Sequence, residues 1–231
     1  MKMEKTMTTA ETESRMPRIL EDAPDFEAKT TQGVVRLSDY TSKGKWVMLF
    51  SHPSDFTPVC STEFLAFARR NAEFEKRNVQ LMGLSIDSLF SHIAWARDIE
   101  QRSGVEIAFP VIADLDQKVA RLYGMVHEAV SDTATVRAVF AIDPKRKIRA
   151  ILYYPMQLGR SVDELLRIFD GLQIADLNSV STPADWIPGQ PVIVPAPTTL
   201  EAARKRANGD DKGLNVEAWY LSTKESAPAE K

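Results

Sequence analysis

At 231 residues, with 44% hydrophobic and 26% charged residues, the chain has ordinary globular composition and enough apolar mass for a sizeable core, which excludes wholesale disorder and fibrous designs. A net charge of −3 offers no basic stripe for nucleic acid or anionic lipid, so the expected partner is small or proteinaceous. No apolar run approaches the roughly 18 residues of a membrane span, and Met1 to Met16 lacks the apolar centre of a signal peptide, so the expected location is the cytoplasm.

In chain order, residues 1–16 show no sustained apolar period and read as a mobile tail. A first strand is expected over Val34 to Leu37. A stronger one follows over Trp46 to Phe50, whose continuous apolar run suits a central strand covered on both faces. That strand ends at Ser51-His52-Pro53, and chemistry commonly sits at such strand ends. A helix is expected to begin at or near Cys60, with Phe64, Phe67, Ala68 and Phe74 on one face. Next come a strand over Val79 to Ser85, a helix over Phe90 to Ile99 and a strand over Ile107 to Ile112 interrupted by Pro110. Val136 to Ile142 and Ile148 to Tyr154 read as a hairpin, followed by an amphipathic helix over Asp163 to Leu172. Beyond Gln173 five prolines within a short stretch rule out a continuous helix or central strand, so an extension is expected there. It contains Val192 to Val194, a helical segment over Thr198 to Ala207, and Trp219 to Leu221. The expected division is residues 1–16 as tail, 17–176 as main domain and 177–231 as extension.

Cys60 is the sole cysteine, so no internal disulfide can form and a reducing compartment is expected. Standing after a constrained loop and at a helix start, its sulfur meets unpaired amides and a dipole that favour anions, the setting of a reactive thiolate. Thr57, three residues earlier, supplies a hydroxyl within one turn of the sulfur, and Pro53 an apolar wall with no N–H. Pro-x-x-x-Thr-x-x-Cys at a strand-to-helix junction is a specific pattern, whereas a lone cysteine is a weak one. His92 and His127 read as solvated or structural. No Cys/His pair has the spacing of a structural zinc site, so neither a metal nor another cofactor is expected.

These residues resemble the peroxiredoxin family, its one-cysteine branch in particular. Ser51-His52-Pro53 through Cys60 looks like that branch's active-site loop, with Glu63 as the acidic residue three after the cysteine. Thr135-Val136-Arg137 is similar to the family's arginine strand, and Tyr154-Pro155 with Gly159-Arg160 to its second basic site. Thr182-Pro183-Ala184-Asp185-Trp186 and Val192-Ile193-Val194-Pro195 look like the branch's C-terminal extension. The resemblance implies an α/β, thioredoxin-like sandwich with a mixed central sheet, plus a smaller dimerising extension. It implies a peroxidatic role for Cys60, activation by Arg137, Glu63 holding that arginine, Arg160 completing the network and His52 lining the pocket.

The implied activity is reduction of hydroperoxides through a Cys60 sulfenic acid, resolved by an external small thiol or a thioredoxin- or glutaredoxin-like protein. A homodimer is implied, and decamers of dimers occur among relatives. The main alternative is a peroxide sensor or redox-switched chaperone that oxidises Cys60 without efficient turnover. A thiol–disulfide oxidoreductase would need Cys-x-x-Cys, but position 63 is Glu. Lipase chemistry is not expected, because Gly159-Arg160-Ser161-Val162-Asp163 lacks the final glycine of a nucleophile elbow.

Overall fold

The computed structural model describes residues 16–226, so all of the expected tail except Met16 lies outside the described residues. β1 (Glu27–Thr30) and β2 (Gly33–Arg36) form an antiparallel hairpin, and Gly33 takes the left-handed φ of 96° that closes its turn. The first of these strands has no counterpart in the sequence pattern. The second stops one residue early, because Leu37 opens α1 (Leu37–Thr41), where the Asp39 carboxylate accepts from the Arg36 backbone N–H at 3.1 Å.

β3 (Trp46–Ser51) is buried along its whole length, as its unbroken apolar run requires. α2 (Pro58–Arg69) and α3 (Asn71–Lys76) follow, then β4 (Val79–Ser85), α4 (Leu89–Ser103), β5 (Val111–Ala113) and α5 (Lys118–Leu122). The single helical face expected from Phe64 to Phe74 is thus broken at Arg70, although Phe64, Phe67 and Phe74 still bury into one core. β5 is shorter than the run over 107–112 suggested. Pro110 has no N–H to give a ladder, and only its carbonyl is used, accepting from Gly83 N at 3.0 Å.

β6 (Arg137–Ile142), β7 (Ile148–Tyr154) and α6 (Val162–Asn178) complete the main layer. The seven strands run in the order β2-β1-β5-β4-β3-β6-β7. β3, β4 and β5 are mutually parallel, while the flanking pairs are antiparallel, so the sheet is mixed. Strand alternation sends Trp46, Met48 and Phe50 to one face, under α2, α4 and α6, and Val47 and Leu49 to the other, with α1 and α5. No described helix is long and apolar enough to cross a membrane.

After α6, a three-stranded sheet in the order β8-β10-β9 is built from β8 (Val192–Ile193), β9 (Asn215–Ala218) and β10 (Leu221–Lys224), with α7 (Leu200–Ala207) alongside. Val192 does not wait for a partner chain: with Val180 and Trp186 it forms a small core of its own, closed by Trp186 Nε1 donating to the Gln190 carbonyl at 3.0 Å. Trp219 and Tyr220 lie in the β9–β10 turn and remain exposed.

The helix-side core centres on Phe50, which contacts the rings of Phe64, Phe67 and Phe109. Phe50→Ala should lower stability by about 3–5 kcal/mol, read as a shift in the urea midpoint at constant slope.

Candidate active site

The site forms where β3 ends beneath the first turn of α2. Pro58 occupies the first turn of the helix, where its missing N–H costs nothing. Thr57 precedes it in extended conformation, its carbonyl accepting from Ser61 N at 3.0 Å and Ser61 Oγ at 2.8 Å. The helix thus starts two residues before Cys60, which lies fully buried in the first turn, among amides with no intrahelical acceptor.

Arg137, at the start of β6, brings Nη1 to 3.3 Å from Cys60 Sγ. The same Nη1 donates to Glu63 Oε2 at 2.7 Å, while Nε and Nη2 both donate to the Met156 carbonyl, at 3.0 and 2.8 Å. Glu63 sits one turn after Cys60 and also receives Arg160: the backbone N and Nε on Oε1, both at 2.8 Å, and Nη2 on Oε2 at 2.7 Å. Arg160 spends Nη1 on the carbonyls of Ser51 and Ala138, at 2.9 and 3.0 Å, and lies over the rings of Phe50 and Phe67. Burial pushes the Glu63 carboxyl up. The hydrogen bonds and charge of Arg160, with the charge of Arg137, outweigh it and leave the group below its ordinary value. Cys60 and Glu63 on α2, with Arg137 and Arg160 from far along the chain, form one connected cluster.

The remaining expected residues lie on the loop between β3 and α2. Thr57 turns its hydroxyl to the Ser54 carbonyl at 2.8 Å rather than to sulfur, and Pro53 is half-buried. His52, fully buried, packs against Phe64 and Trp95 and directs Nε2 to Asp55 Oδ1 at 2.9 Å. Burial holds the His52 imidazole below its usual range despite the opposing hydrogen bond and charge of Asp55.

His127 is exposed, as expected of a solvated histidine. His92 is not solvated. It is buried, with Nδ1 2.8 and 3.0 Å from the two Asp55 carboxylate oxygens and Nε2 3.0 Å from the Ile112 carbonyl. A legible signal existed: His92, Trp95 and Ile99 fall at i, i+3 and i+7 on α4, the spacing of a buried face. Asp55 and the Met156 carbonyl were also missed, the latter because a backbone acceptor leaves no mark on residue type. Among the described residues, His52, Asp55 and His92 are the group whose potential ligand atoms lie within 4.8 Å of one another.

Residues 19–151 match the model of the AhpC/TSA family, and residues 171–209 that of the C-terminal domain of 1-Cys peroxiredoxin. The chain belongs to the peroxiredoxins. A peroxiredoxin of Aquifex aeolicus is 52% identical over 219 residues, covering 90% of this chain and 97% of that relative. One from Methanosarcina mazei is 50% identical over 215 residues, covering 90% and 98%. Among solved structures, a yeast mitochondrial 1-Cys peroxiredoxin superposes with a TM-score of 0.80 at 42% identity, covering 91% of this chain and 100% of its own. A cysteine-to-serine variant of peroxiredoxin 6 from Arenicola marina gives 0.81 at 34%, covering 92% and 99%. The architecture is therefore thioredoxin-like, with a small C-terminal sheet, and this peroxiredoxin is a thiol-dependent peroxidase with a single redox cysteine.

Replacing Glu63 with Gln would leave two buried guanidiniums without their carboxylate and should cost about 3–5 kcal/mol at pH 7. A carboxylate held below its ordinary value contributes stability that is complete above the ordinary range and lost as pH falls through the folded value. Urea titrations should therefore show the gap between the parent and Glu63→Gln narrowing on acidification below about pH 4, the unfolded-chain carboxylate range.

Proposed function

We propose that Cys60 is the peroxidatic nucleophile and that it acts on hydrogen peroxide and small organic hydroperoxides. The charge inventory at the sulfur carries this assignment. Arg137 and Arg160 bring two cations into a buried space where Glu63 supplies one carboxylate, and the guanidinium of Arg137 reaches to 3.3 Å from Sγ. An anionic sulfur completes the balance.

The thiolate attacks one peroxide oxygen; the S–O bond forms as the O–O bond breaks, leaving sulfur as a sulfenic acid and the other oxygen as water or alcohol once protonated. Arg137 offers fixed, permanently charged donors to charge developing on oxygen. Thr57 and Pro53 shape the loop side of the pocket, His52 lines its inner wall, and Glu63 and Arg160 fix the angle of Arg137.

Cys60 has no second thiol in this chain to resolve it. An external thiol therefore condenses with the sulfenic acid, releasing water and forming a mixed disulfide, and a second thiol then frees Cys60 as the oxidised disulfide departs. The reductant is a small thiol or a thioredoxin- or glutaredoxin-like protein. The yeast relative, whose thiol-resolving mechanism runs via glutathione/thioredoxin systems, supports this choice. A reducing cytoplasm suits a cycle that consumes thiols. The assembly is a homodimer built through the C-terminal extension, where Leu200, Trp219 and Tyr220 leave apolar surface exposed.

In a metal-free assay with excess thiol, Cys60→Ser should lose all thiol-dependent peroxide consumption; retention of the parent rate would remove Cys60 from the reaction. Intact-mass analysis after one equivalent of peroxide should show one added oxygen on the parent and none on Cys60→Ser. Arg137→Ala should slow oxidation of Cys60 by about 100-fold or more, measured by quenched-flow mass spectrometry.

A further inference from the structure

The loop carrying Pro53 and Thr57 is held in a conformation that it would not take unaided. Phe56, directly before Thr57, has φ 54°, left-handed backbone that a bulky side chain resists, and its ring is exposed. Such strain persists only where the surroundings over-determine it. Here they do so at Asp55. Its backbone N–H donates to Asp87 Oδ2 at 3.1 Å, and its carboxylate is gripped by His52 and His92. His92 belongs to α4, and its other nitrogen reaches the carbonyl of Ile112 on β5, so the loop is tied to two elements outside itself.

Counting protons shows what kind of bond holds Asp55. The Ile112 carbonyl can only accept, so His92 Nε2 carries a hydrogen. Burial pushes the Asp55 carboxyl up, but hydrogen bonds from His52 and His92 outweigh it and keep the group ionised. An ionised carboxylate also only accepts, so the contact of His92 Nδ1 at 2.8 Å is a donation to Asp55.

We propose that His92 is a positioning residue for the peroxidase reaction, clamping Asp55 through a buried charge-assisted hydrogen bond and so fixing Pro53 and Thr57 beside Cys60. This role rests on the peroxidatic assignment of Cys60. The clamp stands apart from the Arg137–Glu63–Arg160 cluster, approaching the loop from α4 rather than the sulfur from β6. It also accounts for the contacts of His52, Asp55 and His92 as hydrogen bonds.

The test uses the full-length parent, His92→Phe and His92→Asn. Phenylalanine fills the space with neither bond, whereas the Asn amide places a donor where Nδ1 stood. The readout is the second-order rate of Cys60 oxidation by hydrogen peroxide, at a temperature where circular dichroism shows all three folded. His92→Phe should be slowed by about 10- to 100-fold, the scale of a misplacement near 1 Å, and His92→Asn should recover to within several-fold of the parent. Parent-like rates in His92→Phe, or equal slowing in both variants, would overturn the role. If a variant does not fold, ¹⁵N NMR of the histidines in the parent decides: two protonated nitrogens on His92 at pH 7 support the clamp, and a neutral ring overturns it. Stoichiometric metal in the purified protein would overturn it as well. A parent showing no oxidation of Cys60 would instead refute the peroxidatic assignment, which keeps the two failures apart.

Discussion

Two guanidinium groups meet one carboxylate in the interior of this protein, and the other parts of the site are arranged around that imbalance. Glu63 cannot neutralise both Arg137 and Arg160, and all three side chains are almost completely removed from water. Buried ions are costly unless their remaining donors are satisfied, and here they are. The carbonyls of Met156, Ser51 and Ala138 take the outlying N–H groups, and the faces of Phe50 and Phe67 receive the plane of Arg160. The residual charge is left pointing at sulfur.

That arrangement explains why a chain with one reactive residue needs so much scaffold. Sulfur comes from α2, the facing guanidinium from β6, and the second arginine from the segment entering α6. These elements converge because β3 pairs antiparallel with β6, and because Phe50 of β3 packs against Phe64 on the helix that presents the cysteine. The packing of the apolar core and the aim of the polar cluster are therefore coupled: Phe50 serves both, touching Phe64 within the core and the guanidinium of Arg160 at its edge.

Much of this was legible in residue order. The unbroken apolar run of β3, the hairpin of β6 and β7, and the helix starting near Cys60 follow from periodicity and turn chemistry, and the pairing of Arg137 with Glu63 followed from family resemblance. What escaped was of another kind. β1 and α5 are short and carry little pattern, and α1 is set by one capping aspartate. The break at Arg70 lies within a continuous helical pattern. Met156 contributes through its backbone, which residue type does not encode. Residue type left His92 open between a solvated and a structural reading, although its spacing with Trp95 and Ile99 placed it on the inward face. The local packing of Val192 under Trp186 also left no mark, because the proline-rich stretch between them carries no periodicity.

Trp95 occupies a place with a practical use. Its indole N–H donates to Ser61 Oγ at 3.2 Å, its ring stacks on His52 at 5.1 Å, and it also borders Phe56 and Phe64. It therefore touches both ends of the segment that leads to the cysteine. The other three tryptophans lie elsewhere: Trp46 beneath Arg149, Trp186 in the extension and Trp219 in an exposed turn. An intrinsic emission reporter thus lies against the segment that leads to the cysteine, and a change in its surroundings on oxidation of Cys60 would be read in real time by fluorescence without attaching a dye.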